Sequence, residues 1–333
     1  MHGGGTLARY LVTGATGFVG GRLCALLVAR GHAVRVYRRA TSSLALLEGL
    51  AVEEAVGALT DVEAVARAAA GCDGVFNVAG LVSYARRDGR ALQHTNVDGA
   101  RAVCEGARRA GVRRLVHTSS VAAVGHATAG GVASEDTAYN WPPGFAYMET
   151  KRAGEDEVRR AAGTGFETVV VNPSVVMGPG EPRGLFRPVF VPLSKGMLPF
   201  YLPGGTNVVD VDDLAAGHLL AMEKGRSGER YILGGENAET RRLMEEVAHA
   251  LGVRAPPLGL PSGAVRALAW AADGVEGLVG RTVGPGGAFL RASTYTTFAT
   301  SAKAERELGY TFRPLRETVH RAVADYRARG WLT

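Results

Sequence analysis

Tyr147 and Lys151 have the types and the spacing for proton chemistry. They lie four positions apart in a segment that reads as helical, so both side chains leave the same face. A phenol ionises at about pH 10 and is a poor proton donor and acceptor at neutral pH. An ammonium close by stabilises the phenolate, lowers that pKa, and lets the tyrosine exchange a proton with a substrate oxygen. The chain has ten tyrosines but only four lysines, so abundance does not explain the pairing. The plain alternative is a pair on a helix surface.

A second constellation binds rather than reacts. An apolar strand runs into Thr13-Gly14-Ala15-Thr16-Gly17-Phe18-Val19-Gly20, and an amphipathic helix begins there. With 46 glycines in the chain, the spacing alone says little, and the strand-turn-helix context carries the reading. Gly14 permits a tight turn, Gly17 lets the backbone approach a pyrophosphate, and Gly20 lets the helix pack closely on the sheet. The helix N-terminus then offers free N–H groups to phosphates. After the second strand, where a carboxylate would accept ribose hydroxyls, stand Arg38 and Arg39. Two guanidinium groups suit a 2′-phosphate, so NADP(H) is preferred and NAD(H) is the alternative. Tyr147 can then exchange its proton while hydride moves to or from nicotinamide. The strand ending His117-Thr118-Ser119-Ser120 delivers a third partner. Ser120 is expected to hydrogen-bond the reacting oxygen, with Thr118 or Ser119 nearer the cofactor.

These residues need a scaffold that brings strand ends together. Strands are expected at Ala8 to Thr13, Ala33 to Tyr37, Gly74 to Val78, Arg114 to Thr118 and Thr168 to Val171. Helices are expected at Phe18 to Arg30, Asp61 to Ala70, Leu92 to Ala110 and Tyr147 to Ala162. That alternation predicts an α/β fold: a doubly wound parallel sheet of Rossmann type, with a smaller C-terminal substrate-binding lobe. The dinucleotide-binding domain is expected over residues 1–172, with 208–233 returning to it through a helix at Asp212 to Lys224 and a strand at Glu229 to Leu233. Residues 173–207 and 234–333 form the lobe and the C-terminal elements. Val265 to Val279, with Trp270, reads as an amphipathic surface helix packed on the large domain. It lacks the strongly basic face of a membrane-bound helix.

Composition narrows the classes. With 46% hydrophobic and 21% charged residues, the 333-residue chain is ordinary for a globular protein. No apolar run approaches the length of a membrane span, and no signal peptide is read. The net charge of +6 comes from scattered arginines without interleaved aromatics, so no nucleic-acid partner is expected. Cys24, Cys72 and Cys104 are isolated, with neither a disulfide framework nor metal-ligand spacing, so no metal and a cytoplasmic location are expected.

Taken together, these motifs resemble the extended short-chain dehydrogenase/reductases. That group includes nucleotide-sugar epimerases and dehydratases, dihydroflavonol reductases and 3β-hydroxysteroid dehydrogenases. The glycine motif, Tyr147-x-x-x-Lys151 and the Ser pair before Val121 carry the likeness. Asn77-Val78-Ala79-Gly80, Thr95-Asn96-Val97-Asp98-Gly99 and Asn172-Pro173-Ser174 extend it, as do Val211 to Ala215, Arg230 to Gly235 and Ser301 to Tyr310. The resemblance implies that Thr16, Phe18 and Val19 join the three glycines at the cofactor. It also places Leu59, Val78, Ala79, Gly80, Asn96, Thr118, Pro173 and Ser174 there. Tyr84 and Asn172 are implied on the substrate side. A departure is Gly57-Ala58-Leu59-Thr60-Asp61, where relatives often read Gly-Asp-Leu-x-Asp and use the first Asp on adenine.

The leading function is an NADP-dependent oxidoreductase acting on a carbonyl/alcohol pair of a small-molecule substrate. An NDP-sugar epimerase or dehydratase is the alternative, and a non-catalytic nucleotide sensor the third. Asn172 favours the epimerase, Arg38-Arg39 the reductase. A diphosphate clamp would draw on Arg183, Arg187, Lys195, Arg281 or Arg291. Leu185, Phe186, Val189, Phe190, Val191, Leu198, Phe200 and Tyr201 suit either a pocket wall or the core of the lobe, and core is the better reading. Many relatives are dimers, so a homodimer is an open alternative.

Overall fold

The computed structural model describes residues 7–128, 130–279 and 286–332. Its elements begin with β1 (Arg9–Thr13), α1 (Phe18–Ala29), β2 (Ala33–Arg38), β3 (Val52–Val56), α2 (Val62–Ala69) and β4 (Gly74–Asn77). Next come α3 (Gly89–Leu92), α4 (Gly99–Arg109), β5 (Arg114–Thr118), α5 (Ala146–Ala161) and β6 (Glu167–Pro173). The later chain forms β7 (Val175–Met177), α6 (Arg187–Ser194), β8 (Phe200–Tyr201), β9 (Gly205–Asp210), α7 (Val211–Lys224), β10 (Arg230–Leu233) and β11 (Glu236–Glu239). It ends with α8 (Thr240–Leu251), β12 (Leu258–Gly259), α9 (Ser262–Val279), α10 (Gly287–Ala292), β13 (Thr296–Thr297), α11 (Ala302–Leu308) and α12 (Leu315–Ala328).

Seven strands form a parallel sheet in the order β10-β6-β5-β4-β1-β2-β3. Alternate side chains serve opposite cores. Tyr10, Val12, Val34, Phe76 and Val116 pack with Leu23 and Leu27 of α1 and Leu214 of α7. Leu11, Val75, Leu115 and Val170 pack with Val65 of α2, Val103 of α4 and Val158 of α5. Burial on both faces is why these strands read as nearly continuous apolar runs. Strand order reverses beside β1, which continues to β2 on one side and β4 on the other. The crevice opens at the carboxyl ends of β1 and β4, where open α/β sheets bind ligands.

The elements depart from the sequence expectations in three places. The helix expected over Leu92 to Ala110 is interrupted by a π-turn at Gln93–Asp98 between α3 and α4. β3 went unread because, as the edge strand, it carries Glu53 and Glu54 in succession, both exposed, and shows no alternation. Within 208–233, β10 joins the main sheet and α7 packs on its face, but β9 pairs with β7, β11 and β13 in a second sheet.

That second sheet carries its own core. Phe190 and Leu193 of α6, Val247 of α8 and Tyr326 of α12 are buried with Met177 and Val208. Phe186, Val189, Val191, Leu198 and Tyr201 pack against them, whereas Leu185 and Phe200 are exposed. The helix α9 packs not on the large domain but on its own lobe. Val265 and Ala269 meet Leu290 of α10, with Leu202 and Leu260 alongside. Among the described residues no helix is long and apolar enough to cross a membrane.

Candidate active site

Backbone geometry makes the glycine turn. Gly14 has φ +67°, and a Cβ there would lie 2.6 Å from the Ala79 nitrogen, so the turn can lie against the β4 exit only without a side chain. A Cβ on Gly20 would run into the Gly14 carbonyl. Gly17 caps α1 without a side-chain hydrogen bond, so no side chain at that position satisfies the first helical N–H groups. An uncapped helix start over a switch point fits a dinucleotide pyrophosphate.

Below the turn, buried polar groups tie three strand ends together. The Ala79 N–H donates to Thr13 Oγ1 (3.2 Å), Thr13 Oγ1 donates to Asn77 Oδ1 (2.7 Å), and Asn77 Nδ2 donates to His117 Nδ1 (3.1 Å). Receiving that bond puts the His117 proton on Nε2. Burial lowers the His117 pKa to about 3, so the ring is neutral. Thr118 Oγ1 meets His218 Nε2 at 2.8 Å, and His218 Nδ1 donates to the Leu214 carbonyl. The Thr118 hydroxyl therefore serves the core. Its carbonyl serves Lys151.

Asn96 sits on the π-turn and braces the loop after β4. Its Oδ1 accepts from the Leu81 N–H (2.8 Å), and its Nδ2 donates to the Leu81 carbonyl (3.0 Å) and Thr150 Oγ1 (3.3 Å). The segment Val78-Ala79-Gly80 is thereby fixed between Thr13 and Asn96. A π-turn shifts the helix phase locally, and such turns recur at functional sites.

Tyr147, Lys151 and Ser120 converge from α5 and the end of β5. Ser120 lies beside the Tyr147 phenol and acts to lower its pKa. It also accepts from the Ala122 N–H at 3.2 Å. Lys151 is buried, donates to the Thr118 carbonyl at 3.1 Å, and lies 3.0 Å from where a Cβ on Gly80 would be. Burial lowers its pKa to about 8, and the Glu155 carboxylate opposes that shift. From the sequence, Lys151 is expected to lower the Tyr147 pKa. Here burial raises it, and only Ser120 works the other way. The difference has a geometric cause, because the ammonium is spent on Thr118 and aimed at Gly80.

Behind the triad lies a buried acid-base cluster that the sequence argument missed. Glu155, one helical turn after Lys151, accepts from Ser119 Oγ (2.8 Å) and Asn172 Nδ2 (2.8 Å), and pairs with Arg230 at 3.2 Å. Asn172 also donates to the Ser120 carbonyl at 3.0 Å. It is fully buried, so its amide positions Ser120 rather than facing the crevice. Pro173 and Ser174 are buried beside it at the end of β6. The i, i+4 spacing of Lys151 and Glu155 was the available signal.

At the β2 end, Arg38 and Arg39 part company. Arg38 pairs with Glu54 of β3 at 2.6 Å and donates to the Arg39 and Ala40 carbonyls, so it braces its own turn. Arg39 is exposed, with no ion-pair partner among the described residues. Leu59 packs against Gly99 of α4, and Asp61 caps α2 by accepting from the Ala64 N–H. Tyr37 Oη donates to the Ala58 carbonyl. Thr16, Phe18 and Val19 are half-buried at the turn.

The other wall is aromatic. Tyr84 lies 5.8 Å from Tyr147 and 5.6 Å from Phe289 of α10, centroid to centroid. Trp141 packs with Phe145, Tyr295 and His126 in the same cluster. The basic residues considered for a diphosphate clamp are occupied or scattered. Arg291 pairs with Asp273, and Arg187 lies over Trp331. Arg183 and Lys195 are exposed, and Arg281 is outside the described residues.

Fold and site together define a nicotinamide-dinucleotide-dependent enzyme, and comparison with known proteins places it. The chain belongs to the NAD dependent epimerase/dehydratase family, whose model matches residues 10–234, and thus to the extended short-chain dehydrogenase/reductases. It is 35% identical over 329 residues to sterol demethylase protein B of Methylococcus capsulatus, covering 97% of this chain and 99% of that one. It is 33% identical to a putative dihydroflavonol 4-reductase of Synechocystis, covering 97% and 96%. The structure of a nucleoside-diphosphate-sugar epimerase from Pseudomonas aeruginosa superposes with a TM-score of 0.79 at 27% identity, covering 98% and 99%.

Proposed function

We propose that this chain is an NADP(H)-dependent oxidoreductase that reduces a carbonyl, or oxidises the alcohol, on a largely apolar substrate. One observation carries the reading: Tyr147 has Ser120 beside its phenol and the aromatic wall of Tyr84 and Phe289 against its ring, with Lys151 buried on the Gly80 side. NADP(H), when bound, supplies or accepts the hydride. A raised Tyr147 pKa keeps the phenol protonated at neutral pH. It therefore stands ready to donate its proton as the carbonyl oxygen gains negative charge, and to take it back in the reverse direction. Ser120 orients that oxygen, and the buried Lys151 ammonium adds positive charge on the Gly80 side of the site. Residues 1–172 with α7 and β10 hold the dinucleotide, and the remaining lobe closes over the substrate. Free Arg39 supports the 2′-phosphate form, with Arg38 holding its turn.

The epimerase reading keeps one supporting observation, the 0.79 TM-score to the nucleoside-diphosphate-sugar epimerase. The site's lining argues the other way. Apolar rings flank Tyr147, and Arg291 is already paired. Nucleotide released from the denatured protein discriminates the two. An empty protein that binds NADPH more tightly than NADH and reduces an apolar ketone supports the reductase. Retained NAD(H) overturns it.

A further inference from the structure

The outer face of α9 carries no charge. Viewed down the helix axis, the buried arc holds Val265, Ala269 and Ala272. A solvent-facing arc running from Gly277 round to Leu268, with Arg266 just beyond its edge, holds Ala264, Ala267, Leu268, Trp270, Ala271, Gly274, Val275, Gly277 and Leu278. Trp270 is 79% exposed, Leu278 89% and Leu268 57%. Contiguous apolar surface of this kind marks a protein or membrane contact. On an isolated interfacial helix a basic face opposes the apolar one. Here the protein itself covers the inner face, so the outer face alone meets whatever docks.

The patch is continuous with the crevice. Gly287 lets α10 approach α9 closely, since a Cβ there would meet Asp273 and the Ala269 carbonyl, and Arg291 pairs with Asp273. Phe289 of α10, itself 39% exposed, reaches Tyr84, which reaches Tyr147. On the other flank, Phe200 and Leu258 are register partners in β8 and β12, and both are exposed. We infer that α9, with α10 and the β8–β12 pair, lies on an anionic lipid surface, from which an apolar substrate enters past Phe289 to Tyr147. Charge favours that occupant. The chain has a net charge of +6, and Arg266 is exposed at the edge of the uncharged arc. A tryptophan and leucines on an uncharged face suit the headgroup–acyl boundary. Entry of substrate rests on the reductase reading; seating on lipid does not.

Sedimentation of the full chain with vesicles of phosphatidylcholine and phosphatidylglycerol tests it. Wild type should pellet with these vesicles, and less with phosphatidylcholine alone. Trp270→Ser with Leu278→Ser should weaken partition about tenfold or more, with reduction of a water-soluble ketone unchanged. Trp270→Phe should still bind while losing the blue shift of tryptophan emission, because Trp141 is buried and Trp331 lies under two arginines. Wild type that stays in the supernatant, or a double variant that pellets equally, overturns the proposal. So does a double variant that turns a dimer into a monomer, which would give the face to a second copy. Loss of turnover with vesicle binding intact would count against the reductase reading alone.

Discussion

The wall of the crevice beneath the glycine turn is held by hydrogen bonds between buried polar groups, whereas the wall beside the Tyr147 ring is held by aromatic contacts. Thr13, Asn77, His117 and Asn96 leave the first wall almost no freedom, because a buried polar group that loses its partner costs about 1–3 kcal/mol. Rings in the second wall meet at centroid distances of 4.7 to 6.2 Å, and each can shift at small cost. A rigid wall suits a ligand common to the whole family. An adaptable one suits a substrate that varies.

Breaking the reactive pair should have the largest effect. Tyr147→Phe removes the proton and keeps the ring, so kcat should fall about a thousandfold while NADPH affinity, read by fluorescence titration, stays put. Turnover near the wild-type level would remove Tyr147 from the chemistry. On the rigid wall, Gly14→Ala forces a left-handed residue against Ala79 and should weaken NADPH binding by about thirtyfold. Equal binding would show that the turn yields and that this wall is no more rigid than the aromatic one. Arg39→Ala should raise the NADPH Kd by about tenfold and leave NADH unchanged, and a loss for both cofactors would assign Arg39 to the fold. On the adaptable wall, Phe289→Ala should raise KM about threefold with kcat and NADPH affinity retained. A collapse of kcat would mean that this wall is as rigid as the other.

The smallest effect is a displacement along the pH axis. Lys151 is charged below its pKa of about 8, so kcat/KM for reduction should fall as pH rises through that value. Glu155 raises that pKa, so Glu155→Gln should move the falling limb to lower pH. It also leaves Arg230 partly unpaired in the core, at about 3–5 kcal/mol of stability, which a melting curve would show. A limb that does not move would detach Glu155 from Lys151. Stability has its own pH limit. His117 and His218 are held neutral, with pKa values lowered to about 3 and about 4. The unfolded chain binds protons on both once pH falls below about 6.5, and the folded chain does not. Stability should therefore drop as pH falls from about 6.5 to about 3.

The contrast between the walls also explains what the sequence revealed. Gly14, Gly17, Gly20, Tyr147 and Lys151 act through backbone geometry or one helical turn, so spacing read with its strand-turn-helix context picks them out. Strands buried on both faces advertised the sheet. The aromatic wall unites Tyr84, Trp141, Phe289 and Tyr295 from segments far apart in the chain, and no local pattern brings them together. Glu155, and the role of Asn172 in bracing Ser120, escaped for a related reason. Their partners, Ser119, Ser120 and Arg230, come from other strands. In the lobe, strands of two residues, such as β8, β12 and β13, are too short to show any period.

The π-turn leaves a mark on the facing helix. A side chain at Gly154, three residues after Lys151, would collide with the Asn96 carbonyl that the turn pushes outward. Position 154 and the length of the 93–98 segment are thus locked as a pair. Alanine at 154 would have to displace Asn96, whose amide braces Leu81. Among descendants of this chain the bulge and the glycine should be lost together or kept together. A homologue with alanine at this position and one residue fewer before it would have traded away its brace on the loop after β4.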